Sequence, residues 1–224
     1  MKKYLAALLG FSLLGAPALA DPKLAPYSLA AQGCMKLGEC TENVFKITDP
    51  SILDIIYNNY WTEKQKKELN ALIAEIVKLN DKAQLYVADG KYFTSSTRGL
   101  YYTDVNKLFI NVDYTNNPER FLEVLRHEAW HLAQDCMAGE ITNNYIAVIY
   151  NNEVIPPKFK VLTEARYGMI APKAIPWEQE AAWAAVTPYM TVDAMKACNT
   201  GSMWEQYPPT PMTREWLTKN NYIN

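Results

Sequence analysis

Along residues 117–139 the apolar positions recur every three or four residues. Phe121, Leu125, Ala129, Leu132 and Cys136 share one arc, and Glu119, Glu123, Arg126 and Gln134 gather on the other side, which is the periodicity of an amphipathic helix. Trp130 and Met137 break the sorting. Both ends are marked: Asn117 suits the N-cap, Pro118 the first helical position, Glu119 the positive end of the dipole, and Gly139 a left-handed stop. A second helix is expected after Thr62, where Thr62 and Gln65 form a capping-box pattern ahead of Leu69, Leu72, Ile73, Ile76 and Val77. Its charged residues Lys64, Lys67, Glu68, Glu75 and Lys78 read as a solvated face, and residues 51–57 form a short apolar helix candidate.

Between residues 84 and 113 the period changes from helical to extended. QLYVA, GLYYT and KLFINV are rich in aromatic and β-branched residues and are separated by the turn signals Asp89-Gly90 and Thr103-Asp104. In the last run Leu108, Ile110 and Val112 alternate with Lys107, Phe109 and Asn111. The pattern predicts a small, mostly antiparallel sheet directly before the long helix. Residues 145–150, YIAVIY, fit helix and strand equally. Helical patterns follow within residues 158–169, from Pro176-Trp177 through 190, and at 191–198 and 213–220, the last two joined by a proline-rich loop. The fold class expected is α+β, with the sheet packed on the long helix and further helices towards the C terminus.

Residues 1–20 read as a secretory signal: Lys2 and Lys3, the apolar run LAALLGFSLLG, and Ala18-Leu19-Ala20 before Asp21. The run is too short for a membrane span and is interrupted by Pro17, and nothing later could cross a bilayer. Export to a periplasm or the exterior is the expectation. Residues 21–50, with Pro22, Pro26, Gly33, Gly38 and Pro50, read as a loosely structured N-terminal arm, and residues 51–224 as one domain. Removal of the leader leaves 204 residues with a net charge of −4, without a basic run, which argues against nucleic acid as a partner. Cys34, Cys40, Cys136 and Cys198 all lie in the exported part, an even number that suggests disulfides. Of the three connectivities, Cys34–Cys40 with Cys136–Cys198 is favoured; a four-cysteine zinc site is the rival, but paired C-x-x-C elements are missing.

The long helix also carries the chain's only two histidines, in the pentapeptide HEAWH. At 100° per residue, His127 and His131 lie about 40° apart and Glu128 about 60° beyond His131, so the three share one side. In the pattern H-E-x-x-H two neutral imidazoles hold Zn²⁺ and the intervening carboxylate handles the proton of a water. With no third histidine, the third protein ligand must be a carboxylate. Glu178 and Glu180 open the later helix EQEAAWAAVTPYM. Glu178 stacks with Ala181, Ala182, Ala185 and Val186, small residues that permit close approach of two helices, and is favoured; Glu180 shares its face with Trp183, Ala184 and Thr187 and is the alternative, ahead of Glu164 or Glu140.

HEAWH resembles the signature of the zincin metallopeptidases, and the lack of a third histidine is similar to the gluzincin group, whose third ligand is a glutamate on a later helix. The spacing of Glu178 and Ala181 is similar to the second motif of several gluzincin branches, although Ala182 stands where those branches often carry Asp or Asn. Asp135, one turn past His131, is then the candidate for supporting a histidine by hydrogen bonding. The resemblance implies a helix–sheet–helix arrangement, one zinc per chain on His127, His131 and Glu178, and Glu128 as general base in hydrolysis of peptide bonds in a peptide or protein substrate. It also implies that the strand nearest the site pairs with the substrate, with KLFINV as candidate. Arg166 and several tyrosines are candidates to stabilise the oxyanion. The alternative is a zincin-like protein that binds zinc and a partner without cleaving it.

Overall fold

The computed structural model describes residues 29–56, 61–114 and 117–224; the expected leader lies outside them. Helices α1 (Leu29–Leu37), α2 (Ser51–Ile56) and α3 (Glu63–Val77), with strand β1 (Val44–Lys46), precede strands β2 (Gln84–Ala88), β3 (Gly99–Tyr102) and β4 (Lys107–Asn111). The long helix α4 (Pro118–Met137) follows, and then α5 (Pro157–Tyr167), α6 (Ile175–Val186), α7 (Met190–Thr200), α8 (Met203–Gln206) and α9 (Arg214–Lys219). The α+β class therefore stands. The expected caps form: Thr62 and Gln65 close a capping box on α3, and Asn117 Oδ1 accepts from the Arg120 amide at 3.0 Å on α4.

The sheet is mixed: two of its three pairings are antiparallel, in line with the expectation, and one is parallel. Its order is β1-β2-β4-β3, with β2 parallel to β4 and the outer pairings antiparallel. KLFIN lies inside the sheet with both of its faces buried. Leu108 and Ile110 enter the main core with α3 and α4, while Phe109 packs with Ala88, Leu100, Tyr102 and Phe93 on the opposite face. β1 and β3 form the two margins, and β3, which is also buried on both faces, runs beside α4. The turn-rich N-terminal segment contains α1 and β1, and Met35 of α1 covers that second face of the sheet, with Cys34 bonded to Cys40.

Helix α4 is buried almost all round, against α3, α6, α7, β3 and β4. Trp130 and Met137 are fully buried, and so are Gln134 and nearly all of Arg126, which the helical pattern had placed on the solvated side. Arg126 is tolerated because Nε and one terminal nitrogen donate to the two oxygens of Glu68, at 2.8 and 2.7 Å, and the other donates to the Ala185 carbonyl at 3.1 Å. Glu68 also accepts from the Tyr189 amide at 2.8 Å. Glu75 is buried too, and accepts from Lys78 and from Asn199 on α7. Both acidic residues leave the solvated face predicted for α3, since α4 and α7 close over it. The Cys136–Cys198 disulfide ties α4 to α7 with Cα atoms 5.8 Å apart.

Residues 145–150 are neither helix nor strand. Ile146, Ala147, Val148 and Ile149 are buried, and their backbone is satisfied from outside any ladder: Ala147 N–H donates to the Gln134 carbonyl, Ile149 N–H to the Glu180 carboxylate, and the Val148 carbonyl accepts from Thr210. A buried irregular segment needs such partners for each polar group.

Removing one member of a buried ion pair leaves an uncompensated charge, so Glu68→Gln is expected to lower unfolding free energy by about 3–5 kcal/mol in urea titrations. The double substitution Glu68→Leu with Arg126→Met is expected to cost less than the single one. A larger loss in the double variant would refute this account of the pair.

Candidate metal centre

His127 and His131 project from α4 towards α6, where fully buried Ala181 and its small neighbours Ala182 and Ala185 let the two helices approach closely. Glu178 in the first turn of α6 reaches both rings: Oε2 lies 3.4 Å from His127 Nε2 and Oε1 lies 3.6 Å from His131 Nε2. These distances exceed ordinary hydrogen bonds, which end near ~3.2 Å. They match the separation of two ligands at about 2.0–2.1 Å from a common tetrahedral ion, which is about 3.4 Å. The imidazoles stand edge to face, 4.9 Å between centroids at 87°. One ligand atom from each residue lies within 4.8 Å of the other two, which makes this group able to hold a metal ion. Glu178 Oε2 is buried and has no hydrogen-bond partner among the described residues, as expected of an oxygen shaped for a cation.

Charge favours the same occupant. Burial opposes ionisation of Glu178, yet His127, His131 and Tyr167 outweigh it and hold the carboxyl at about 2. Burial drives His131 down to about 4, so its ring is neutral and free to donate a lone pair. For His127 burial pulls downward, but the Glu178 carboxylate prevails and raises it. Glu128 points into the same cleft without touching the trio's ligand set, and burial pushes its carboxyl up to about 7 against His127 and Arg166.

Glu180 does not join this group. Two residues along the helix places it about 200° round the axis from Glu178, and there it is completely buried under four donors. The Ile149 and Tyr150 amides reach it at 2.9 and 2.5 Å, Gln134 Nε2 at 2.6 Å and Trp130 Nε1 at 3.2 Å. Glu140 and Glu164 are exposed and outside the cluster. Asp135 does not support a histidine either. Its Oδ2 lies 2.7 Å from the Tyr101 hydroxyl, whereas His131 Nδ1 pairs with Gln134 Oε1 at 2.9 Å. An i, i+3 partner took the role expected at i+4, and Gln134 escaped notice because the helical pattern assigned it to solvent.

The cleft in front of the trio has a volume of about 250 Å³. Its walls include Arg98 just before the edge strand and Gly99 at its start, Val124 and Glu128 from α4, Arg166 and Tyr167 from α5, and Ala182, Ala185 and Val186 from α6. The strand beside it is β3, not β4, which is enclosed by β2 and β3. Gly99 is a residue that pattern reading missed: a Cβ there would lie 2.6 Å from Glu128 Cγ and 2.8 Å from Val124 Cγ1. The strand backbone therefore presses directly against the acid of the motif, and a glycine opening the run GLYYT was the only sign of it. No protein-family model, curated protein or solved structure matches this chain.

Asp135 behind the cleft has a checkable protonation state. The Tyr101 hydroxyl has one proton but faces two acceptors, Asp135 Oδ2 and Asn106 Oδ1 at 2.9 Å, and the Asn106 amide is oriented by donating to the Ile141 carbonyl. The count closes when Asp135 is protonated and donates to Tyr101, in keeping with burial that pushes its carboxyl up to about 8. The folded state then holds a proton that the unfolded chain releases near 3.8, so this group's stabilisation is complete below about pH 4 and is lost as pH rises to about 8. Asp135→Asn is expected to flatten the stability profile between those limits in denaturation at several pH values. An unchanged slope would show that Asp135 is ionised in the fold.

Gly99→Ala is expected to displace Glu128 while leaving metal stoichiometry intact, measured by elemental analysis alongside a structure of the variant. An unmoved Glu128 side chain would contradict the close approach.

Proposed function

We propose that this protein is an exported zinc-dependent peptidase, and the observation that carries the reading is the facing of His127, His131 and Glu178 across a cleft whose wall also holds Glu128. Two imidazoles and one carboxylate are a donor set suited to zinc and leave a coordination position to spare. Zinc held there supplies Lewis-acid polarisation of a carbonyl and lowers the pKa of a coordinated water.

The protein's own residues account for the rest. Glu128 takes the proton of the attacking water and returns it to the leaving amine nitrogen; a carboxyl raised towards neutrality serves both directions. Tyr167 stays neutral, because burial and the Glu178 carboxylate push its phenol far above the ordinary range, and its single proton serves Glu178; Arg166 in the same wall offers donors to a carbonyl oxygen gaining negative charge. An extended peptide lies along the free side of β3, where main-chain pairing grips any sequence. Leu162 and Val186, 57% and 51% exposed at the cleft mouth, offer apolar contact to its side chains.

The two disulfides suit an oxidising compartment, and among the described residues no helix is long and apolar enough to cross a membrane. Together with the N-terminal leader pattern they support export to a periplasm or the exterior.

Wild type is expected to carry one zinc and to cleave peptides in a chelator-sensitive manner, whereas Glu128→Gln keeps the zinc and loses about 10²–10⁴-fold in rate. His131→Ala is expected to lose the metal. Full zinc occupancy with equal inactivity of wild type and Glu128→Gln would leave a zinc-binding protein without hydrolase activity and reject the peptidase reading.

A further inference from the structure

Gln134 is fully buried and every polar atom of its side chain is engaged. Its nitrogen meets the Trp177 carbonyl at 3.1 Å and Glu180 Oε2 at 2.6 Å. A carbonyl cannot donate, and Glu180 already receives the Ile149 and Tyr150 amides and the Trp130 indole, so neither partner can supply a proton to Gln134. The amide must therefore point its NH₂ at these two acceptors. Its Oε1 is left facing His131 Nδ1 at 2.9 Å, and an oxygen there can only accept. The proton of the neutral imidazole must then sit on Nδ1, which leaves the lone pair on Nε2, the atom that faces Glu178 at 3.6 Å.

We infer that Gln134 and Glu180 form a positioning pair that selects the Nδ1–H tautomer of His131 and so presets its Nε2 as a metal ligand. Glu180 acts at one remove: it touches neither ring, but its acceptor oxygen fixes which way round Gln134 stands. The donors that hold Glu180 come from Trp130 on α4 and from the irregular segment at 149–150, so the tautomer is set by three separate pieces of chain. The affinity consequence rests on the metal-centre reading; the tautomer is a property of the protein alone.

With only two histidines in the chain, imidazole ¹⁵N–¹H correlation spectra of the zinc-free protein at pH 8 read the tautomer of each, with His127→Asn giving the assignment. Wild type is expected to show His131 as Nδ1–H. Gln134→Met, similar in size but unable to accept, is expected to lose that bias and to weaken zinc binding about 10–100-fold, the range for loss of an outer-shell partner. Gln134→Glu sets two carboxylates against each other and is expected to be worse. Glu180→Gln leaves Gln134 in place but sets an amide nitrogen among the donors that Glu180 accepts, and is expected to erode the Nδ1–H bias and to lower zinc affinity in the same direction.

A purely structural role would lower stability in these variants without shifting the tautomer. An Nε2–H tautomer on wild-type His131, or zinc affinity unmoved in Gln134→Met, overturns the inference. If Gln134→Met does not fold, a tautomer and a zinc affinity both unmoved in Glu180→Gln overturn it equally. A wild type that shows Nδ1–H on His131 but binds no zinc upholds the tautomer and rejects the metal centre.

Discussion

One buried carboxylate organises the region that matters most. Glu180 is wholly inside the protein, and burial alone pushes its carboxyl up to about 7, against donors from two backbone amides, an indole and a side-chain amide. A negative charge in such surroundings is tolerable only while those donors stay in place. The constraint therefore runs outward from Glu180: it holds the irregular 145–150 segment against the core, aligns Trp130 on α4, and turns Gln134 towards His131. Disturbing any of these would unsettle the imidazole one step further on.

Of the other buried acidic groups, three meet the cost of burial in different ways. Glu68 is matched by the Arg126 guanidinium in a bidentate pair. Asp135 meets the Tyr101 hydroxyl at 2.7 Å, and burial pushes its carboxyl up to about 8. Glu178 differs from both: two imidazoles and a phenol keep it ionised, yet Oε2 has no hydrogen-bond partner among the described residues. Asp135 Oδ1 is orphaned as well, but Glu178 alone of the four has two imidazole nitrogens within 3.6 Å in a grouping that could hold a cation, which separates it from its neighbour Glu180 on the same helix.

The sheet contributes through its edge. β4 is enclosed between β2 and β3, and β3 forms the margin beside α4. Gly99 then lets the strand backbone lie against Glu128 with no side chain between them. The general base proposed here and the strand proposed to grip substrate are thus in contact, and a shift of one is felt by the other.

The helical spacing of His127, Glu128 and His131, the caps at Thr62 and Asn117, and the helical register of Glu178 with its small neighbours were legible in the chain, because each depends on residues within a turn or two of one another. The strands of the sheet were legible too, but not their order, since strand order depends on which faces distant helices cover. Arg126, Gln134, Glu68 and Glu75 looked like solvent-facing residues by periodicity and are buried, because α4 is surrounded on all sides. Local sequence determined which atoms can bind a metal and how one helix presents them. Tertiary packing alone decided that Glu178 completes the group, that Glu180 and Gln134 stand behind it and that β3 lines the cleft, since those outcomes follow from which buried polar groups find partners across segments far apart in the chain.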